Sequence, residues 1–286
     1  MKKFLCLILA LIMAVSCMQG MVFAADVIAT VTTGSTVVNA TGVDEIAKAV
    51  SASGESVITL KANITVPRIN LPYSCTIDLA GFTVTGTEGN AFSIGEAGSK
   101  NPVTCIKNGV IDGNVLGVRL DKGGLNMQNV IVCGRTSAAV GIYETSTGYN
   151  DRSRIEDCTL VSLAAAALSF HRQDGAQQGV ACTLKNSTLI AAKAAGSSPS
   201  PVVTAVNNNT GIVTLEEGVR IYHYSPIKRA AAEKAQNDHF WRDDHVTTLG
   251  LTARAEHRFT DISIPELDLD LKGLDGWYSY KQPEGT

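Results

Sequence analysis

The sequence predicts an all-β solenoid, a parallel β-helix, on three observations. Apolar residues alternate over short stretches rich in Val, Ile and Thr. The alternation slips at a Gly, Asn or Asp. That slip then returns four times, at spacings of 27, 21, 28 and 29 residues. The stretch CTIDLAGFTVTG, from Cys75 to Gly86, contains one whole unit. Ile77 and Leu79 alternate, Phe82 and Val84 alternate, and Ala80-Gly81 breaks the pattern between them.

The chain opens with two lysines and an apolar run from Phe4 to Val15, followed by Val22-Phe23-Ala24. The run is too short for a membrane span, and its flanks are those of a secretory signal over residues 1–24. A lipoprotein signal, Ala14-Val15-Ser16 before Cys17, is the minor alternative. Residues 25–54 are expected to form an N-terminal strand and a capping helix. Val43, Ile46, Ala47 and Val50 fall at helical spacing in TGVDEIAKAVSASG, and Gly54 follows as a stop.

The repeats occupy residues 55–224. With Gly81 as origin, the residues two before and three after are Leu79 and Val84. The same offsets give Ile106 and Ile111 around Asn108, and Met127 and Val132 around Asn129. They give Ile155 and Leu160 around Asp157, and Leu184 and Leu189 around Asn186. LEEGVRI, from Leu215 to Ile221, fits with one extra residue. A third strand follows at Phe92 and Ile94, Val140 and Ile142, and Leu168 and Phe170, with Val118 and Leu120 one residue early. The slip is thus a corner between two strands of one coil. Gly, Asn and Asp tolerate the left-handed backbone such a corner needs. Stacked Asn side chains at the corner are expected to hydrogen-bond along the axis, buried and structural.

Residues 225–286 are expected to form a C-terminal capping region, since an open solenoid end exposes strand edges and core. Alanine-rich IKRAAAEKAQNDHF, from Ile227 to Phe240, favours helix, and the sequence after it alternates like strands. No LPxTG sorting sequence occurs. The chain is therefore expected to be secreted without a covalent wall anchor.

ITLKANITV followed by CTIDLAGFTVTG resembles the opening coils of right-handed parallel β-helix proteins, the pectate-lyase-like superfamily. The resemblance covers roughly residues 55–224. It implies a right-handed parallel β-helix. It also implies an extracellular function on polysaccharide, or at a cell surface, without choosing between enzymes and adhesins. The motifs of polygalacturonase-like hydrolases do not occur on a coil, and the one Asp-Asp, Asp243-Asp244, follows the repeats. Asp112, Asp121 and Asp157 are too scattered by offset to nominate a calcium site.

A net charge of −3 makes no electrostatic case for nucleic acid. No segment after the signal is apolar enough to span a bilayer. Cys75, Cys105, Cys133, Cys158 and Cys182 remain after cleavage. An odd number leaves at least one thiol free or paired between chains, and small buried side chains are the expected reading. His239, His245 and His257 near Asp243 and Asp244 match no familiar zinc spacing, so no metal and no cofactor is expected.

Loops of a solenoid stack on its flanks. Those after the third strand are roughly Gly95–Asn101, Asp121–Gly124, Tyr143–Arg152, His171–Gln178 and Ala195–Pro201. YETSTGYNDR and HRQDGAQQ are expected to be neighbours. They bring Tyr143, Glu144, Tyr149, Asp151, Arg152, His171, Arg172 and Asp174 to one edge. Tyr rings stack on pyranose faces, and Arg and carboxylate groups bind hydroxyls or uronates. Arg152 and Arg172 would complement an acidic glycan. The plain alternative is a solvated loop whose charges only keep the surface soluble. The expected function is a secreted protein binding polysaccharide or a cell-surface partner through this flank. The alternatives are a polysaccharide lyase or glycoside hydrolase acting there, and a structural surface module that binds no glycan.

Overall fold

The computed structural model describes residues 26–50, 55–95, 102–144, 153–172, 180–192, 202–206, 211–224, 246–250 and 253–279. A hairpin of β1 (Ala29–Thr33) and β2 (Thr36–Ala40) leads into helix α1 (Val43–Ala49). Repeats follow. The first is β3 (Ser56–Leu60), β4 (Ile64–Val66) and β5 (Ile69–Leu71), and the second is β6 (Cys75–Asp78), β7 (Thr83–Gly86) and β8 (Phe92–Ile94). In the next two repeats one bent strand replaces the first two: β9 (Val103–Gly113) with β10 (Val118–Leu120), then β11 (Gly124–Gly134) with β12 (Val140–Glu144). The fifth is β13 (Ser153–Glu156), β14 (Thr159–Ser162) and β15 (Leu168–Arg172), and the sixth is β16 (Val180–Lys185), β17 (Thr188–Ala191) and β18 (Val203–Val206). Then come β19 (Gly211–Leu215), β20 (Arg220–Tyr224), β21 (Val246–Gly250), β22 (Ala253–Ile264) and β23 (Leu269–Ser279).

Each repeat strand pairs in parallel with its counterpart one repeat on. Three columns of strands result. The first two share one sheet through β9 and β11, and the third column is a separate six-stranded sheet. Long parallel sheets built this way are consistent with a β-helix-like solenoid. Period-two alternation sends every second side chain inward. Ile77, Ile106, Met127, Ile155 and Leu184 stack in the first column, and Val84, Ile111, Val132, Leu160 and Leu189 in the second. All ten are at most 2% exposed.

The corner between the first two columns sits where the pattern slips. Asn108, Asn129, Asp157 and Asn186 have φ of 59°, 54°, 54° and 45°, and the first such corner uses Ala80 and Gly81 together, at 51° and 87°. Asn108 Nδ2 donates to Asp78 Oδ1 at 3.1 Å, Asn129 Nδ2 to Asn108 Oδ1 at 3.2 Å, and Asn186 Nδ2 to Asp157 Oδ1. This is the expected ladder, but its position corrects the expectation. Asn129, Asp157 and Asn186 are exposed. A left-handed residue that ends an inward-facing strand turns its own side chain out, so the ladder runs along the outside of the corner.

A second corner was not anticipated. Five residues after each origin stand Gly86, Gly113, Gly134, Ser162 and Ala191. A Cβ at Gly113 would lie 1.9 Å from the Leu116 carbonyl oxygen, and one at Gly134 2.0 Å from that of Ala138. The chain folds back so tightly into the third column that only small residues fit. Ser162 uses its hydroxyl there, accepting from the Ala165 amide at 2.8 Å and donating to the Ser137 carbonyl at 2.8 Å.

At the N-terminal end β1 joins β3 antiparallel, and α1 buries Ile46 against the core. The expected single strand is therefore a hairpin. At the far end β21 pairs in parallel with β19, so parallel stacking continues past residue 224. β23 pairs antiparallel with β20, and β22 with β23. The turn of this terminal hairpin places Ile264, Leu267 and Leu274 over Val110, Cys133, Val161, Ile190 and Tyr222 on the outer side of the second column. Strands apolar on both sides must be covered on both. The signal over residues 1–24 and the helix expected over residues 227–240 lie outside the described residues. No described helix is long and apolar enough to cross a membrane.

Candidate functional site

The outer side of the third column carries a compact polar cluster. Val118, Val140, Leu168 and Val203 point inward in register, as do Leu120, Ile142 and Phe170. Arg119, Gly141, Ser169 and Thr204 alternate with them on the outside. Tyr143 and His171 occupy the next outward positions, directly paired on β12 and β15. Register alone brings these two side chains about one strand spacing apart, roughly 4.8 Å.

The rings use that spacing. Tyr143 and His171 stack with centroids 4.2 Å apart and planes 7° apart. On the side of β10, Arg119 Cζ lies 4.1 Å from the Tyr143 centroid. The guanidinium is held there by Asp121 on the same strand's end: Nε donates to Oδ1 at 2.9 Å and Nη2 at 2.8 Å. The Asp121 side chain is 6% exposed and that of Arg119 30%. A cation over an aromatic face contributes about 0.5–2 kcal/mol, more as water is excluded. Gly141 makes the arrangement fit. A Cβ there would stand 2.6 Å from Leu116 Cδ2 and 3.0 Å from Tyr143 Cε2.

His171 Nε2 lies 2.8 Å from the Ser169 hydroxyl, which faces the same way two residues earlier. Burial, reinforced by the nearby Arg119 charge, pushes the His171 imidazole down to about 4. The ring is thus neutral at neutral pH and shares a hydrogen bond with Ser169 at one nitrogen. Burial also raises the Tyr143 phenol, which stays protonated.

Of the residues expected at this edge, Tyr143 and His171 are stacked, and Glu144 and Arg172 occupy paired positions on β12 and β15. Tyr149, Asp151, Arg152 and Asp174 lie outside the described residues. Arg119 covers one face of the Tyr143 ring and His171 the other, because the strands that carry them flank β12 on opposite sides. Sequence reasoning missed Arg119, Asp121, Gly141 and Ser169. The available signal was VRLD, from Val118 to Asp121, where two charges of opposite sign sit on the outward positions of a strand. The segment 195–201, expected after a third strand, precedes β18 in the chain and lies outside the described residues.

A second concavity lies on the outer side of the first column. It is an open depression of about 340 Å³ lined by Thr76, Cys105, Lys107, Asn126, Gln128 and Arg154 among others. Its two cations are engaged in ion pairs with neighbouring carboxylates. Arg154 pairs with Glu216 at 2.8 Å and Lys107 with Asp78 at 3.5 Å. Among the described residues no group of His, Cys, Asp and Glu could hold a metal ion. No family model, curated protein or solved structure matches this chain.

Proposed function

We propose that the chain is a secreted, right-handed parallel β-helix protein of the pectate-lyase-like kind. In this reading it binds a polysaccharide, or another cell-surface partner, through the flank around Tyr143 and His171. Secretion is supported by the charged, apolar and small-residue succession of residues 1–24. Right-handedness is supported by the near-universal hand of crossovers between parallel strands. The observation that carries the binding reading is the Arg119–Tyr143–His171 stack. It is pre-organised on paired strands and partly open to solvent.

The test is retention of the mature chain on a glycan array and in affinity gels, compared with Tyr143→Ala and His171→Ala. The parent is expected to be retained, and each variant to lose most of that retention while still melting cooperatively. A parent retained by no glycan, or folded variants retained like the parent, would overturn the proposal. Release of reducing ends or unsaturated products would move the reading to an enzyme.

A further inference from the structure

We propose that β2 is a docking edge for a second copy of this chain, paired antiparallel with its own counterpart about a two-fold axis at Val38. The N-terminal end of the first column finishes on this strand. Among the described residues β2 pairs with β1 alone. At the third column the same end is covered by α1, which contacts β5. Thr36 to Asn39 are all exposed. Val37 is 61% and Val38 41% exposed, and Val57, another of the few large apolar side chains left in water among the described residues, stands two strands along in the row of Val37.

Backbone alternation fixes which groups the edge offers. Thr33 and Thr36 close a two-residue turn whose Gly34 has φ of 58°, so they form a hydrogen-bonded pair. Bonded and non-bonded pairs alternate along an antiparallel ladder, so Val31–Val38 and Ala29–Ala40 are bonded as well. The Lys61 amide donates to the Ile28 carbonyl, which puts Ile28 toward β3 and agrees with Ala29 facing β2. The N–H and C=O groups of Val37 and Asn39 therefore point away from β1, to the open edge.

A second β2 meets those groups without mismatch. With Val38 on the axis, Val37 stands opposite Asn39 of the second copy, and each such pair exchanges both of its hydrogen bonds. Val38 then faces Val38 of the second copy across a non-bonded pair, where Cα atoms are about 4.5 Å apart and β-branched side chains pack closely. Val38 continues the inward row of Ile58 and Val31, which are 2% and 1% exposed, so its counterpart extends that row across the axis. TVVNA carries no charge, so identical edges meet without repulsion. It also lacks the lysine, proline or bulge that guards a free edge. The first-column sheets of the two copies join, N-terminal end to N-terminal end.

The experiment is sedimentation equilibrium of the mature chain from micromolar to near-millimolar concentration. The parent is expected to form a concentration-dependent dimer. Val38→Lys and Val38→Glu are each expected to weaken it about tenfold, because the valine pair is lost and like charges face each other across the axis. An equimolar mixture of the two variants is expected to restore it. Val38 is exposed enough in one copy for both variants to melt like the parent. In a Cys105→Ser background, Val38→Cys changes little in size and sets two thiols on the axis within disulfide range, so mild oxidation is expected to give a covalent dimer. A parent that stays monomeric throughout, or a dimer that survives Val38→Lys, would overturn the proposal. So would a mixture no more associated than either variant alone, or a folded Val38→Cys chain that never cross-links. Growth past the dimer would overturn it in favour of head-to-tail stacking.

Discussion

At the scale of single residues, the backbone requirement was legible and the side-chain direction was not. A position with positive φ admits few residue types, so Gly, Asn and Asp recur there and the sequence displays them. Whether the side chain then faces in or out depends on how the two strands meet, which no residue type records. Since Asn186 is exposed, its substitution is governed by φ and not by a buried partner. Asn186→Gly is expected to leave the unfolding free energy within about 0.5 kcal/mol, and Asn186→Leu to cost about 1–2 kcal/mol. Urea unfolding checks both, and equal losses would contradict the argument. His171 supplies a second residue-level prediction. Its folded value of about 4 lies below the roughly 6.5 of an unfolded imidazole. Between those values the unfolded chain binds more protons, so stability is full above about pH 6.5 and falls as pH drops toward 4. The ring is partly open to water, so the loss is about 2 kcal/mol, less than the full shift implies. His171→Gln should flatten the melting temperature between pH 4 and 6.5 relative to the parent. An unchanged slope would show that His171 does not carry it.

At the scale of elements, the three strands of each repeat were legible because each is defined by local alternation and fixed offsets. Val118 and Leu120 were found even though their repeat is a residue short. The column of Gly86, Gly113, Gly134, Ser162 and Ala191 carries an equally regular signal, but glycine at a turn is common enough to pass unread. The terminal hairpin was not legible for a different reason. Consecutive apolar residues such as Leu160-Val161 and Leu189-Ile190 mark strands buried on both sides, yet they do not say what covers the outer one. The structure answers with Leu267 and its neighbours, drawn from about a hundred residues further along the chain. Leu267 is 5% exposed, so Leu267→Ala is expected to cost about 2–4 kcal/mol, as for a core leucine. A cost below about 0.5 kcal/mol in chemical unfolding would mean that the hairpin merely rests on the surface.

At the scale of the whole molecule, the repeat was readable because a solenoid is a one-dimensional object whose neighbours along the axis are also neighbours in sequence. The Arg119–Tyr143–His171 cluster tests the limit of that logic. It spans three repeats, so no window of one repeat contains it, and only register assembles it. The cysteines follow the same rule. An odd number allowed an unpaired thiol or a link between chains, and all five described cysteines are free. Cys75, Cys133, Cys158 and Cys182 are buried, and burial pushes their thiols up to about 11 for Cys75 and about 12 for the other three. Only a thiolate reacts at a useful rate, so these four are inert in the folded chain twice over, by access and by protonation. Cys105 differs because its position alternates outward, where it lines the depression on the first column and is half-buried. The mature chain is therefore expected to show one thiol that reacts quickly with an aromatic disulfide reagent, and all five after denaturation. Cys105→Ser should remove the fast thiol and leave the melting temperature unaltered with or without reductant. Two fast thiols would place another cysteine at the surface. Fewer than five after denaturation would reveal a disulfide, and with it a fold held by a covalent staple instead of by the stacked core alone.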